Sequence, residues 1–125
     1  MIDDPELCLY SSPGRHLIPN IGLRIEFPTV GKVAAYSSDT EPCGAIARLA
    51  HGVDVLIHET AGASRGHSSA AQAGEIARRA EAKALYLIHY QTWERDPQPL
   101  IAEAQQAFGG PVTLSQDGME IDLDH

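Results

Sequence analysis

An α/β fold is predicted by three observations: one early stretch of strict apolar alternation, three later apolar runs that each end on a polar group, and helix-forming segments between those runs. Ile21, Leu23, Ile25 and Phe27 alternate with Gly22, Arg24 and Glu26, the period of a half-buried strand. The run through Ala35 and Tyr36 ends on Asp39, Val55-Leu56-Ile57 delivers His58-Glu59, and Leu85-Tyr86-Leu87-Ile88 delivers His89. Polar groups arriving in this way predict a site at the carboxyl ends of strands.

Taken in order, Leu7 to Ser11 can form a first strand, and Ser12-Pro13-Gly14-Arg15 then turns the chain and presents His16. The alternating strand follows and ends at Pro28, and after Gly31 the residues Lys32 to Ser37 give a strand that runs into Asp39. Pro42 suits the first turn of a helix, Ala45, Ile46, Leu49 and Ala50 fall at helical spacing, and Gly52 stops it. Val53 to Ile57 form the next strand. Ser69-Ala70-Ala71-Gln72 reads as a capping box, and Ala73, Ile76, Ala77 and Ala80 continue a small-residue face able to approach a sheet closely. Ala84 to Ile88 is apolar almost without interruption, as in a strand covered on both faces. A last helix begins at Asp96 or Gln98 and ends at Gly109-Gly110-Pro111, and Val112-Thr113-Leu114 and Met119 to Leu123 flank Asp117-Gly118 as a predicted terminal β-hairpin.

Length and composition fit one globular domain over residues 1–125, with 43% hydrophobic residues. The 9 Lys+Arg against 17 Asp+Glu give a formal net charge of -8, which argues against a surface that tracks phosphates over many nucleotides. Cys8 and Cys43 show neither a CxxC spacing nor a disulfide-rich context and read as reduced thiols. The acidic start from Met1 to Glu6 lacks the order of a signal peptide, and no apolar run approaches the roughly 18 residues of a membrane span. A soluble, cytoplasmic protein without a membrane partner is expected.

The chemistry-bearing residues each have a plain alternative. Asp39 follows a strand and precedes a helix, so helix capping or turn stabilisation competes with a role as a cation ligand. His89 after a buried strand can be a satisfied polar residue, although neutral imidazole is also the commonest metal ligand. His67, just before a helix, can be part of a surface loop and its cap; beside the Glu59 carboxylate it could instead be held in one tautomer and protonate a leaving group.

The blocks His16 to Ile25, Tyr36-Ser37-Ser38-Asp39-Thr40, Ile57-His58-Glu59-Thr60, Gly66 to Ala73 and Leu87-Ile88-His89-Tyr90 resemble, in this order, the C-terminal half of the metallo-β-lactamase superfamily in its ribonuclease Z-like branch. The resemblance runs from about His16 to Tyr90. It implies half of an αββα sandwich, with His16 binding one zinc, Asp39 bridging two and His89 binding the second. It also implies His67 as proton donor, supported by Glu59. Two such ions would activate water at a phosphodiester.

The superfamily's main metal motif, His-x-His-x-Asp-His, is absent from this sequence. His16, Asp39 and His89 would then be the whole ligand set, so zinc occupancy is expected to be partial or nil. An apolar sheet face is expected to be exposed and to be covered by the N-terminal half of the same fold or by self-association into a dimer or larger. In ribonuclease Z a long tRNA-binding arm is inserted between the strand of Arg24 and the Ser-Asp-Thr block, where only Glu26 to Ala34 stand here. The family's Ser-x-Arg-Tyr-like residues after the last histidine are replaced by Tyr90-Gln91-Thr92-Trp93-Glu94-Arg95. Both departures count against tRNA. The expected function is the C-terminal portion of a zinc-dependent hydrolase acting on a phosphodiester or similar ester, with this chain alone inactive. The alternatives are a non-catalytic module acting through its exposed face, and an unrelated α/β binding domain.

Overall fold

A computed structural model describes residues 2–3, 6–93 and 95–123. Met1, Asp4 and Pro5 of the acidic start, Glu94 of the segment after His89, and His125 lie outside the described residues.

The described strands form one seven-stranded sheet whose spatial order is the chain order. They are β1 (Ile2–Asp3), β2 (Cys8–Pro13), β3 (Ile21–Phe27), β4 (Lys32–Tyr36), β5 (Val55–Glu59), β6 (Leu85–Ile88) and β7 (Val112–Leu114). Strands β1 to β4 are antiparallel neighbours, while β4 to β7 are parallel and are linked through α1 (Gly44–Leu49), α2 (Ala70–Ala80) and α3 (Pro99–Phe108). Three consecutive crossovers that step the same way across a sheet, each right-handed, put all three helices on one face.

Side-chain alternation divides the sheet accordingly. Ala35, Leu56, Leu85 and Val112 stand side by side in the register, as do His58, Leu87 and Leu114, and these join the core under the helices. Leu23, Tyr36, Ile57 and Tyr86 line the opposite face, where each is half-buried. The apolar sheet face expected to be exposed is thus one that carries no helix, and its four residues are half-buried.

Helix α2 carries the predicted capping box: Ser69 Oγ accepts from the Gln72 N–H and Gln72 Oε1 accepts from the Ser69 N–H, at 3.1 and 2.8 Å. Its small-residue face meets α3 as well as the sheet. A Cβ placed on Gly74 would lie 2.4 Å from the Ala104 carbonyl oxygen, so this glycine sets the distance between α2 and α3. Helix α1 starts later than Pro42 suggests, at Gly44 with Cys43 as N-cap and no side-chain cap, so Asp39 does not cap it.

The predicted terminal hairpin does not form. Gly118 turns the chain at φ 78° and the Met119 N–H donates to the Gln116 carbonyl at 3.0 Å, but no strand occurs among Met119 to Leu123. Strand β7 is only three residues long and pairs in parallel with β6. Beyond it, the Ser115 N–H donates to the Leu87 carbonyl and the Ser115 carbonyl accepts from the Tyr90 hydroxyl. The Ser115 peptide is thus tied to β6 and to the segment after it, and the chain beyond Gly118 pairs with no strand among the described residues.

Candidate active site

Glu59 is the last residue of β5, and its side chain is 1% exposed. Its buried carboxylate has a full set of donors. Oε1 accepts from the Thr40 N–H at 3.1 Å, the Ser68 N–H at 3.1 Å and His67 Nδ1 at 3.0 Å, while Oε2 accepts from the Ala61 N–H at 2.8 Å. The ring nitrogen that points at the carboxylate is therefore the protonated one, and Nε2 of neutral His67 is left as the free position.

His16 leaves the turn after β2. Its Nδ1 lies 2.6 Å from the Gly66 carbonyl, which can only accept, so Nδ1 carries the hydrogen and Nε2 keeps its lone pair. Gly66 permits this contact: at φ 86°, a Cβ on it would lie 2.8 Å from His16 Nδ1. His89 follows β6 in a left-handed conformation, φ 61°, and its Nδ1 stands 3.0 Å from Asp39 Oδ1. Asp39 is reached by a comparable bend at Ser38, φ 54°, which is fixed by the Ser38 hydroxyl donating to the Ile21 carbonyl at 2.6 Å.

The three imidazoles stand in a row. His16 and His67 have ring centroids 5.0 Å apart, and those of His67 and His89 are 5.5 Å apart. All five residues singled out from the sequence thus meet at one edge of the sheet, although they come from four separate connections. Glu59, His67 and His89 also offer ligand atoms within 4.8 Å of one another. Glu59 is buried with four donors on its oxygens, three on Oε1 and one on Oε2, and serves as an anchor for the loops around it. His16, His89 and the half-exposed Asp39 carboxylate, which lies 3.0 Å from His89, add further nitrogen and oxygen donors of the kind that hold divalent metals.

Thr40 is a joint that sequence reasoning missed. Its Oγ1 accepts from the Arg15 N–H at 2.8 Å and donates to the Glu41 carbonyl at 2.8 Å, and its own carbonyl accepts from the Ser68 hydroxyl at 2.6 Å. It thereby ties together the loops that bring His16, Asp39 and His67. Ser37 does similar work, accepting the Glu59 N–H on its hydroxyl at 3.0 Å. Both residues lie inside the Tyr36 to Thr40 block, but nothing in the spacing distinguishes a hydroxyl that bridges loops from one that meets water.

His58 stands apart from this row, on the helix-covered face of β5. It is fully buried; Nδ1 meets the Glu59 carbonyl at 2.9 Å and Nε2 has no hydrogen-bond partner among the described residues. Burial holds its pKa below the ordinary histidine value, with the Glu59 carbonyl and charge pulling weakly the other way. The native state therefore resists a proton that the unfolded chain accepts near pH 6.5. Stability is expected to be full above that pH and to fall as the pH drops through it, by about 1.4 kcal/mol per unit at most. Urea midpoints of wild type and His58→Gln between pH 7.5 and pH 5 measure this: the wild type should lose more, and parallel profiles would refute it.

Residues 8–90 match a family described as the beta-lactamase superfamily domain. The chain belongs to the metallo-β-lactamase superfamily. Within this superfamily of metal-dependent hydrolases it stands with the ribonuclease Z-like branch. It is 38% identical over 122 residues to ribonuclease Z of Porphyromonas gingivalis, covering 91% of this chain and 40% of that protein. It is 35% identical over 105 residues to ribonuclease Z of Natronomonas pharaonis, covering 77% of this chain and 34% of that one. The chain thus spans about two fifths or less of these relatives. Among solved superfamily structures, the metallo-β-lactamase fold protein YhfI of Bacillus subtilis superposes with a TM-score of 0.85 at 22% identity over 94% of this chain and 50% of that one. The short form of human tRNase Z gives 0.73 at 24% identity, over 98% and 46%. These two likenesses establish the fold. Among the described residues no helix is long and apolar enough to cross a membrane.

Proposed function

We propose that residues 1–125 act as a single folding unit that forms the C-terminal portion of a zinc-dependent phosphodiesterase of the ribonuclease Z-like kind. In this reading His16, Asp39 and His89 hold metal, and His67 with Glu59 delivers a proton. The observation that carries it is the row of three imidazoles beside a carboxylate, with Nδ1 of His16 and of His67 each committed to an oxygen and Nε2 left free. Divalent ions at such a set would supply activation of water and stabilisation of charge on a phosphodiester.

The protein's own part is positional. Glu59, fixed by three backbone N–H groups, holds His67 through Nδ1, which leaves Nε2 as the position from which a proton can pass to a departing oxygen. Asp39 stands 3.0 Å from His89, so that one carboxylate and one imidazole are held together at the site.

Three ligands are few for two ions, since a catalytic zinc usually has three protein ligands of its own. Elemental analysis after zinc reconstitution should accordingly find less than one zinc per chain, and less still in Asp39→Ala. Tight, stoichiometric binding unaffected by that substitution would place the metal elsewhere. Hydrolysis of a chromogenic phosphodiester by this chain alone should stay near background; robust turnover would show that these ligands suffice.

A second reading, a non-catalytic module that acts through association, is supported by the half-buried face of Leu23, Tyr36, Ile57 and Tyr86. Either reading calls for something to cover that face, whether a second copy or the N-terminal half of the same fold. Light scattering at micromolar concentration should give a dimer or larger. A monomer that binds no apolar-surface dye would mean that the face is stable in water.

A further inference from the structure

Where α1 packs against α2, a cavity of about 420 Å³ is lined by Gly44, Ala47, Arg48, His51 and Arg79. None of these residues belongs to the histidine row, and none is a carboxylate. In a chain with 17 Asp+Glu against 9 Lys+Arg, a recess with two arginines, a histidine and no acid reverses the composition of the whole. Arg48 stands in the last turn of α1 and Arg79 in the last turn of α2.

Both guanidiniums lean over Gly44. A Cβ on that glycine would lie 3.0 Å from Arg48 Nη1 and 3.6 Å from Arg79 Nη2, so the two groups reach into one space that a side chain there would begin to fill. Other arginines of these elements are already engaged: Arg78 donates to both carboxylate oxygens of Glu75, and Arg24 to Glu26 and to the carbonyls of Leu49 and His51. The side chains of Arg48 and Arg79 make no hydrogen bond or ion pair among the described residues. Glu75 acts on Arg79 only through its charge, and the acid nearest His51 is Glu81, at 3.7 Å. Two like charges turned toward one another repel, and each brings N–H donors that call for an acceptor. An oxyanion between them answers both demands.

We propose that Arg48 and Arg79, with His51 beside them, bind a phosphate group at a site separate from the histidine row. A guanidinium presents paired N–H donors that match two phosphate oxygens, and two guanidiniums supply the charge for a dianion. The tetrahedral group takes donors from two directions at once, whereas a planar carboxylate is served by one fork. Arg48, His51 and Arg79 are all exposed, so the site is open to the free ion and to a small phosphate monoester. A patch of this size on a chain of formal net charge -8 does not suit a polymer of phosphates. The site shares no residue with the metal and proton-donor set, and its test is independent of that reading.

The nitrogen-labelled, zinc-free chain is titrated with inorganic phosphate, and the Nε–H signals of its arginines are followed by nuclear magnetic resonance. Those of Arg48 and Arg79 should move on one saturating curve with a Kd on the order of 1 mM or tighter. Sodium chloride at the same ionic strength should leave them in place. Arg48→Gln and Arg79→Gln should each weaken binding about fivefold or more. Arg65→Gln, which removes the same charge beside Gly66 and the histidine row, should leave it unchanged. Glycerol phosphate titrated in the same way distinguishes the sources: tighter binding than the free ion assigns the site to a monoester, and weaker binding assigns it to phosphate itself.

A drift that never saturates and is matched by chloride would overturn the site, as would binding that survives both substitutions. Loss of binding in Arg65→Gln alone would put the phosphate at the histidine row and overturn it equally.

Discussion

Glu59→Ala is expected to lower the stability of the chain by about 3–5 kcal/mol. The substitution removes the acceptor of four donors at once: the N–H groups of Thr40, Ala61 and Ser68, and Nδ1 of His67. Each buried donor left without a partner costs about 1–3 kcal/mol, and water can reach only part of a site whose centre is 1% exposed. Glu59→Gln should cost less, because its amide oxygen still serves the three donors now on Oε1, while its NH2 faces the Ala61 N–H. Urea unfolding followed by circular dichroism, with the slope of the transition unchanged, measures both. A loss below about 1 kcal/mol in the alanine variant would mean that solvent satisfies the four donors.

Gly74→Val should be nearly as severe, at about 3 kcal/mol, with Gly74→Ala losing about 1–2 kcal/mol. Replacing a helical glycine by alanine normally gains about 1 kcal/mol of helix propensity. Here the first carbon of any side chain would meet the Ala104 carbonyl oxygen at 2.4 Å and the Ala107 methyl at 3.1 Å. The nearer obstacle is backbone, which cannot swing aside as a side-chain tip would, so α3 must move off α2 and the packing beneath Ala104 opens. An alanine variant more stable than wild type would show that the two helices separate readily.

Much of this arrangement was legible in the sequence, for identifiable reasons. Period-2 alternation marked β3 residue for residue, because its apolar residues share one face of the strand, the one turned away from the helices, while Gly22 and Arg24 meet α1. The capping box of α2 was legible because it is made of local contacts between residues three apart. Asp39, Glu59 and His89 could be singled out because each sits at or shortly after the end of a strand, and strand ends are visible in hydropathy, whereas His67 stands eight residues past β5 and just before α2. The hairpin after Asp117-Gly118 failed because a turn signal states only that the chain bends, which it does at Gly118, and not that the residues beyond the bend pair as a strand. Thr40 and Gly66 were opaque for another reason. Their partners lie across the fold, at Arg15, Ser68 and His16, and local sequence does not encode such meetings.

The agreement of strand order with chain order bears on how the sheet is assembled. Every strand from β2 onward pairs with the one that precedes it, so the sheet can grow by one strand at a time, and none has to wait for a later segment to be inserted between existing neighbours. Each step closes a loop of limited length, which keeps the entropic cost of each addition small. All ladder bonds among these strands are made within the chain, so another polypeptide layer could join by packing side chains onto the bare face without breaking a single backbone pairing. The sheet can therefore be completed first and covered afterwards.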